Sequence, residues 1–313
     1  MLTVYRTENG ILCELNEILD GAWVNMVNPT LEESQKVAGK FEIDMDDLRA
    51  ALDEEESSRI DLEDGYTLIL VDIPTPEIRH AAKMYTTIPL GIVLTQNNII
   101  TVCSEETAIL QNFVQHRVRE FSTKKKMRFV YQILYRTAIL YQNNLKIIDK
   151  KRTEIEERVG EKTEEEDLVN LHDLESTLVY FATSLRANYV VLERLSRYKR
   201  LEQYPEDMEL LDDVITENQQ AIEMTGIYRD IINGTRELMS TIINQRLNKI
   251  MKLLTSITLV MSIPTIISGV YGMNVNSAGM PLAAATNGFG IICAIIVVIC
   301  VIVILLMRKK GMF

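Results

Sequence analysis

Seven residues near the C-terminal end of the chain are spaced to share one side of a helix. Asn248, Met251, Thr255, Thr258, Ser262, Thr265 and Gly269 follow one another at alternating steps of three and four, which keeps side chains on one helical face. Four of the six Ser and Thr residues between Leu253 and Tyr271 lie on this stripe. Only Ser256 and Ser268 lie off it, and the other faces are Leu, Ile, Val and Met. A row of hydroxyls in an apolar helix supports two chemistries. It can line a pore built from the same helix of several subunits, because two spans cannot enclose a channel alone. It can equally glue packed helices, with hydroxyls bonded to their own carbonyls or across an interface. Pro264 removes one backbone donor and frees the Val260 carbonyl, which a hydroxyl or pore water must then satisfy. The stretch closes on Tyr271-Gly272-Met273-Asn274, where Gly and Asn are residue types that end helices.

Other chemistry is hard to build from these residues. His80, His116 and His172 are scattered, and Cys13, Cys103, Cys293 and Cys300 form no close pair; they read as buried apolar thiols rather than disulfides or zinc ligands. No phosphate-binding G-x-x-x-x-G-K-[ST] run occurs, which argues against an ATP-driven pump. No nucleophile–base pairing or metal triad stands out, so the chain does not read as an enzyme.

The elements that carry the stripe follow from charge. The chain has 313 residues, 33 Lys+Arg, 44 Asp+Glu and a net charge of −11. All 44 carboxylates precede residue 240, and no charge of either sign occurs from Leu253 to Met307. An acidic body joined to an uncharged tail excludes a simple soluble enzyme and wholesale nucleic-acid binding. Within the tail, Leu253–Tyr271 (19 residues) and Gly288–Met307 (20 residues) each cover about 30 Å, the thickness of the hydrocarbon core of a bilayer. Arg246, Lys249 and Lys252 precede the first span, and Arg308, Lys309 and Lys310 follow the second. Basic flanks stay inside, so both termini are expected in the cytoplasm of a cell (plasma or inner) membrane, with the loop outside. Asn233-Gly234-Thr235 would then be an unused glycosylation acceptor, and MLTVYRTENG lacks the apolar core of a signal peptide.

The chain divides into an α/β part over 1–104, long helices over 105–205, a stalk helix over 206–271 that includes the first span 253–271, an outer loop over 272–287, a second span over 288–307 and a basic tail over 308–313. Trp23–Val27 reads as a strand, and Thr30 with Glu33 is a capping box that opens a helix. Asp64-Gly65 is a hairpin turn between Arg59–Leu62 and Tyr66–Ile73, and Leu90–Leu94 pairs with Ile99–Cys103. A mixed or antiparallel sheet with helices packed on it is the expected result. Strand signals then vanish, and helices are expected over 105–159, 163–200 and 206–271. The second has a stripe from Leu168 through Leu171, Leu174, Leu178, Phe181, Leu185 and Leu192 to Leu195, and the third has Leu211, Ile215, Ile222, Ile232, Met239, Ile243 and Ile250 at similar spacing. A helix this long needs partners, within the chain or in other subunits.

With these parts in order, the sequence resembles the CorA family of divalent-cation channels. The likeness rests on Tyr271-Gly272-Met273-Asn274 at the end of the first of two C-terminal spans, the short loop, the basic tail and the preceding acidic body. Tyr228-Arg229-Asp230-Ile231 and Leu90 to Thr95 are weaker echoes. The resemblance implies a homopentameric magnesium channel with a cytoplasmic funnel, the first span of each subunit lining the pore and the outer motif binding the hydrated ion. Magnesium sheds water reluctantly, and the Asn274 amide and a Gly272 carbonyl suit contacts to its waters. Met251 and Leu254 are expected to form an apolar constriction at the cytoplasmic end, with Thr258, Ser262 and Thr265 along the wetter stretch above. The resemblance also implies a regulatory magnesium bound between subunits, with Asp213, and Glu217 one turn on, as its ligands. Departures bear on both sites. Val275–Asn287 has no carboxylate, Asn276 standing where one often sits, so the choice among magnesium, cobalt, nickel and zinc is open. Leu48-Arg49-Ala50 replaces an acidic pair expected in the regulatory site, with Asp53-Glu54-Glu55-Glu56 just beyond. A zinc or broader transition-metal transporter of the same fold is the alternative, and a membrane-anchored coiled-coil protein without a pore is the reading from another class.

Overall fold

A computed structural model describes residues 1–80, 82–158, 165–198, 205–274, 280–282 and 285–310. The chain forms two compact units, Met1–Arg236 and Glu237–Phe313. The first contains a seven-stranded sheet: β1 (Leu2–Glu8), β2 (Ile11–Leu15), β3 (Trp23–Val27), β4 (Arg59–Leu62), β5 (Tyr66–Arg79), β6 (Ala82–Thr95) and β7 (Ile99–Cys103) in the order β2-β1-β3-β7-β6-β5-β4. Only β3 and β7 run parallel. Helices α1 (Leu31–Phe41) and α2 (Met45–Arg49), with a 3-10 turn over Ala50–Leu52, cover one face. On the other lie α3 (Ala108–Val114), α4 (Lys126–Arg158), α5 (Glu165–Arg197) and the start of α6 (Pro205–Tyr271). Helix α7 (Gly288–Lys309) follows in the second unit. This is the α/β body, long helices and pair of apolar C-terminal helices that the sequence indicates.

Alternation along the strands makes two cores. Ile69, Val71 and Ile73 point into one, while Leu68 and Leu70 point into the other, as a period of two requires. Trp23 is wholly buried, and its indole N–H donates to the Thr101 hydroxyl at 2.8 Å. Around it, Phe113, Phe121 and Phe129 sit edge-on with ring centroids 5.1 to 6.4 Å away, an arrangement favoured by the ring quadrupoles. The Thr30–Glu33 capping box forms in both directions. The Thr30 backbone N–H bonded to the Glu33 carboxylate holds that group below its ordinary pKa.

The expected helix over 105–159 is two helices. Residues 115–125 turn between α3 and α4, with positive φ at His116 (56°) and Glu120 (52°). Thr7 and Thr123 exchange backbone-to-hydroxyl bonds of 3.0 and 3.1 Å that tie this turn to β1. The break is what brings three phenylalanines from separate turns of chain onto Trp23. The buried face of α5 matches the expected leucine stripe, with Leu168 at its half-buried end. On α6, Leu211, Ile232 and Met239 are buried as expected, but between them the seam lies one step aside: Val214, Asn218, Ala221 and Thr225 are buried where Ile215 and Ile222 are half-buried, and Ile243 and Ile250 are exposed. Small and polar residues win because they allow close approach, and Asn218 donates to the Leu185 carbonyl of α5 at 3.0 Å.

The β1–β2 hairpin turns at Asn9 and Gly10, both at positive φ. Strands β5 and β6 extend to 14 residues each, well past the sequence expectation, with Pro74, Pro76 and Pro89 inside the ladder. Pro74 and Pro76 fit because β4 stops pairing at Leu70, so one side of β5 beyond that point is an edge, and Pro89 fits because β7 stops pairing with β6 at Leu90. At Asp72 that edge is closed by a side chain. The Asn188 amide of α5 accepts from Asp72 N and donates to Asp72 O, both at 2.8 Å, and the Tyr141 hydroxyl adds a 3.1 Å bond to the same carbonyl. Pro74 and Pro76 point the same way and have no N–H to present.

Burial pushes the Asp72 carboxyl above its ordinary pKa, against the lowering effect of hydroxyl bonds from Ser184 and Ser58. The folded chain therefore holds this proton more tightly than the unfolded chain does. That contribution to stability is present below the ordinary carboxyl range and is lost as pH rises through the folded-state value. Asp72→Asn is expected to match the wild type in acid and to melt a few degrees higher at neutral pH. Thermal melts across pH check this, and a gain that does not vary with pH would count against it.

Candidate functional site

The second unit holds the hydroxyl stripe. Helices α6 and α7 each contain a window apolar enough to cross a bilayer, and these windows are 6% and 0% buried, so nearly all of their surface is free to meet lipid or other helices. Shielding within the pair follows a helical period. On α6 it falls on Ser256, Val260, Ile263, Pro264, Ile267 and Tyr271, with Ser262 also half-buried, and on α7 on Ile292, Ile296, Ile299, Cys300, Val303 and Met307. Where the two helices meet, the Cys300 thiol lies 3.9 Å from the Val260 carbonyl. That is the carbonyl freed by Pro264, so a thiol of the second span satisfies it, where a hydroxyl or pore water was expected.

The stripe is on the other side. At 3.6 residues per turn, Thr255, Thr258, Ser262, Thr265 and Gly269 point roughly opposite to the face that meets α7. Asn248, Met251, Thr255, Thr258, Thr265 and Gly269 are exposed, and Ser262 is half-buried. Thr258 donates to the Leu254 carbonyl at 2.9 Å, Ser262 to Leu259 at 2.8 Å and Thr265 to Met261 at 3.0 Å. Ser268, off the stripe, donates to Pro264 at 2.6 Å. Each hydroxyl proton is thus committed to its own helix, which leaves the oxygen lone pairs as outward-facing acceptors. These three hydroxyls do not glue the first span to the second. Leu254, Thr255, Thr258, Leu259 and Ser262 line a shallow depression of about 350 Å³. Met251 (57% exposed) and Leu254 (63%) present bare apolar surface at its lower end.

The helix ends as the motif begins. Gly272 N donates to the Ser268 carbonyl at 2.8 Å and Met273 N to Val270 at 3.4 Å. A Cβ on Gly272 would sit 3.2 Å from the Ser268 oxygen, so the glycine permits this tight closing turn. Asn274 has left the helix and is exposed. The Tyr271 hydroxyl donates to the Pro281 carbonyl at 2.8 Å. Asn276 lies outside the described residues.

The regulatory pair is split by its surroundings. Asp213 is exposed on α6. Glu217 is half-buried, and Gln142 of α4 donates to both its carboxylate (2.6 Å) and its carbonyl (3.0 Å). Leu48 and Ala50 are buried, and Arg49 donates to the Ser34 hydroxyl at 3.1 Å. In the acidic run, Asp53 accepts from Glu55 N at 3.1 Å, and Glu56 pairs with Arg59. Among the described residues, no three His, Cys, Asp or Glu side chains converge to hold a metal within one chain. The thiols are not uniformly buried as expected: Cys103 is, and burial raises its pKa to about 11, but Cys293 is exposed.

The model of one protein family, described as CorA-like Mg2+ transporter protein, matches residues 20–309. The chain belongs to this family. It is 30% identical over 298 residues to the cobalt/magnesium transport protein CorA of Methanocaldococcus jannaschii, covering 92% of this chain and 90% of that one. It is 25% identical over 219 residues to the protein of the same name from Thermotoga maritima, covering 66% of this chain and 62% of the relative. The complete structure of the CorA magnesium transporter from Methanocaldococcus jannaschii superposes with a TM-score of 0.86 at 27% identity, over 100% of this chain and 99% of that one. The cytoplasmic domain of ZntB from Vibrio parahaemolyticus shares the fold of the soluble part (TM-score 0.62, 10% identity), a likeness of fold alone.

In a CorA-family assembly, the two faces of α6 should differ in access to water. In a background lacking the native cysteines, Thr255→Cys, Thr258→Cys and Ser262→Cys are expected to react with small aqueous thiol reagents about tenfold faster than Val260→Cys and Ile267→Cys, which face α7. Equal rates for both sets would show that the stripe is packed rather than wetted.

Proposed function

We propose that this chain is one subunit of a homopentameric channel that carries magnesium across the cell membrane, with both termini in the cytoplasm and the first span of each subunit lining the pore. The observation that carries this reading is the direction of the hydroxyl stripe. It points away from its own second span, its oxygens are left as acceptors, and it leads to Asn274 at the helix exit. A hydrated magnesium ion presents water hydrogens, and a ring of acceptors can bond to those waters without stripping them. Asn274 supplies an amide oxygen at the mouth, and Gly272 and Met273 supply carbonyls beside it. Met251 and Leu254 form the apolar constriction at the other end, which closes by excluding water.

Flux is passive and driven by the membrane potential, worth about 2.3 kcal/mol per charge per 100 mV, or about twice that for a divalent ion. Cobalt is the second ion, because relatives at 30% and 25% identity are named cobalt/magnesium transport proteins. Metal influx into proteoliposomes is the test, comparing magnesium, cobalt and zinc. Asn274→Ala should cut magnesium influx at least about tenfold, the value of one charge-assisted contact per ion, while the oligomer stays assembled. Unchanged flux and selectivity would remove Asn274 from the site, and zinc flux without magnesium flux would favour the transition-metal reading.

Asp213 is the regulatory ligand offered to a neighbouring subunit in this reading, and Glu217, engaged by Gln142, is the weaker candidate. A bound magnesium offsets repulsion among carboxylates and holds the ring closed, and its loss at low internal magnesium favours opening. Magnesium is expected to protect the wild-type cytoplasmic part from protease and to protect Asp213→Ala several-fold less. Equal protection would exclude Asp213 as a ligand.

A further inference from the structure

Pro264 leaves a gap in the backbone ladder of the first span. The Val260 carbonyl, four residues back, has no backbone N–H to accept from, and in lipid a carbonyl without a partner is costly. The neighbouring hydroxyls do not fill the gap. Thr258 donates to Leu254, Ser262 to Leu259, Thr265 to Met261 and Ser268 to Pro264. The second span reaches it instead: the Cys300 thiol, 40 residues away in the chain, donates to the Val260 carbonyl at 3.9 Å. The contact is long and a thiol is a weak donor. Val260 and Cys300 are both half-buried, on the faces that α6 and α7 turn towards each other.

We propose that Cys300 is a positioning residue of the channel: its thiol replaces the donor that Pro264 removes and so fixes how the two halves of the first span meet. A helix missing one rung bends where a side chain or water enters its ladder. Whatever holds the Val260 carbonyl therefore sets the angle between the turn bearing Thr258 and the turn bearing Thr265, with Ser262 between them. A pore water would hold it from the side of the stripe. The thiol holds it from α7, which ties the bend to the second span. Cys300 acts through Val260 and does not touch the ion. Its effect on transport rests on the channel reading above, whereas its pairing with Val260 does not.

The test uses the full-length oligomer with Cys300→Val, Cys300→Ala and Pro264→Ala, alone and combined. Infrared difference spectra with and without Cys300→Val isolate the S–H stretch of Cys300 from those of the other thiols. That band is expected below the free-thiol position in the wild type. It should move towards the free position in Pro264→Ala, where the N–H of residue 264 returns to the Val260 carbonyl. Magnesium influx into proteoliposomes reads the consequence. Cys300→Val and Cys300→Ala should each lower the maximal rate about threefold, the worth of an average hydrogen bond between membrane helices, with half-saturating magnesium within about twofold of the wild type. The two variants differ in volume and share the loss of the donor, so equal losses separate the bond from packing. In Pro264→Ala, which restores the backbone donor, adding Cys300→Val should cost nothing further. A free-thiol band in the wild type overturns the pairing. Unchanged flux in both Cys300 variants, a loss in Cys300→Ala alone, a shift in half-saturation instead of maximal rate, or the same loss with and without Pro264 overturns the positioning role. If Pro264→Ala fails to assemble, the wild-type band and the comparison of the two Cys300 variants decide. Absence of magnesium flux in the wild type would count against the channel reading, and the infrared result would still decide the pairing.

Discussion

A polar group in an apolar span must be satisfied within reach, because lipid supplies no partner. This constraint organises the C-terminal unit. It commits the protons of Thr258, Ser262, Thr265 and Ser268 to carbonyls three or four residues back. It finds a thiol for the Val260 carbonyl that Pro264 leaves open. It ends α6 in a turn where a Cβ on Gly272 would crowd the Ser268 carbonyl. Among the described residues, the stripe keeps its hydroxyl lone pairs and Asn274 its exposed amide on offer. A helix that has committed these four hydroxyl protons internally and kept the stripe's acceptors facing away from its own hairpin is chemically suited to a cation that travels with its water.

The first unit obeys the same rule by different means. A sheet seven strands wide has long edges, and β5 outruns β4 by most of its length. Its exposed backbone is closed by the Asn188 amide and the Tyr141 hydroxyl at Asp72, and proline occupies the next two outward-facing positions. The cost is a carboxyl held against α5 with a raised pKa. On the opposite half of the sheet, Trp23 gathers aromatic rings from α3, α4 and the turn between them. That cluster accounts for the break in what the sequence alone reads as one helix.

Local patterns were legible in the sequence wherever neighbours in the chain decide the outcome. The Thr30–Glu33 capping box, the Asp64-Gly65 hairpin, the leucine face of α5, both apolar spans and the spacing of the hydroxyl stripe all follow from period and turn chemistry, whereas the family was legible only through resemblance, in Tyr271 to Asn274 and the layout around them. The β1–β2 hairpin also carried a local signal, Asn9-Gly10, that the sequence reading did not use. Tertiary structure decided the rest, because the partners are distant in the chain. The turn at 115–125 depends on Thr7, 116 residues from Thr123. Strand pairing through Pro74 and Pro76 depends on where β4 stops. The stripe could have been pore lining or glue on spacing alone, and its direction became defined only once α7 had covered the opposite face of α6. Cys300 read as one more apolar thiol until the Val260 carbonyl, 40 residues away in the chain, was set against it, since a pairing at that separation is invisible to any pattern of residue types.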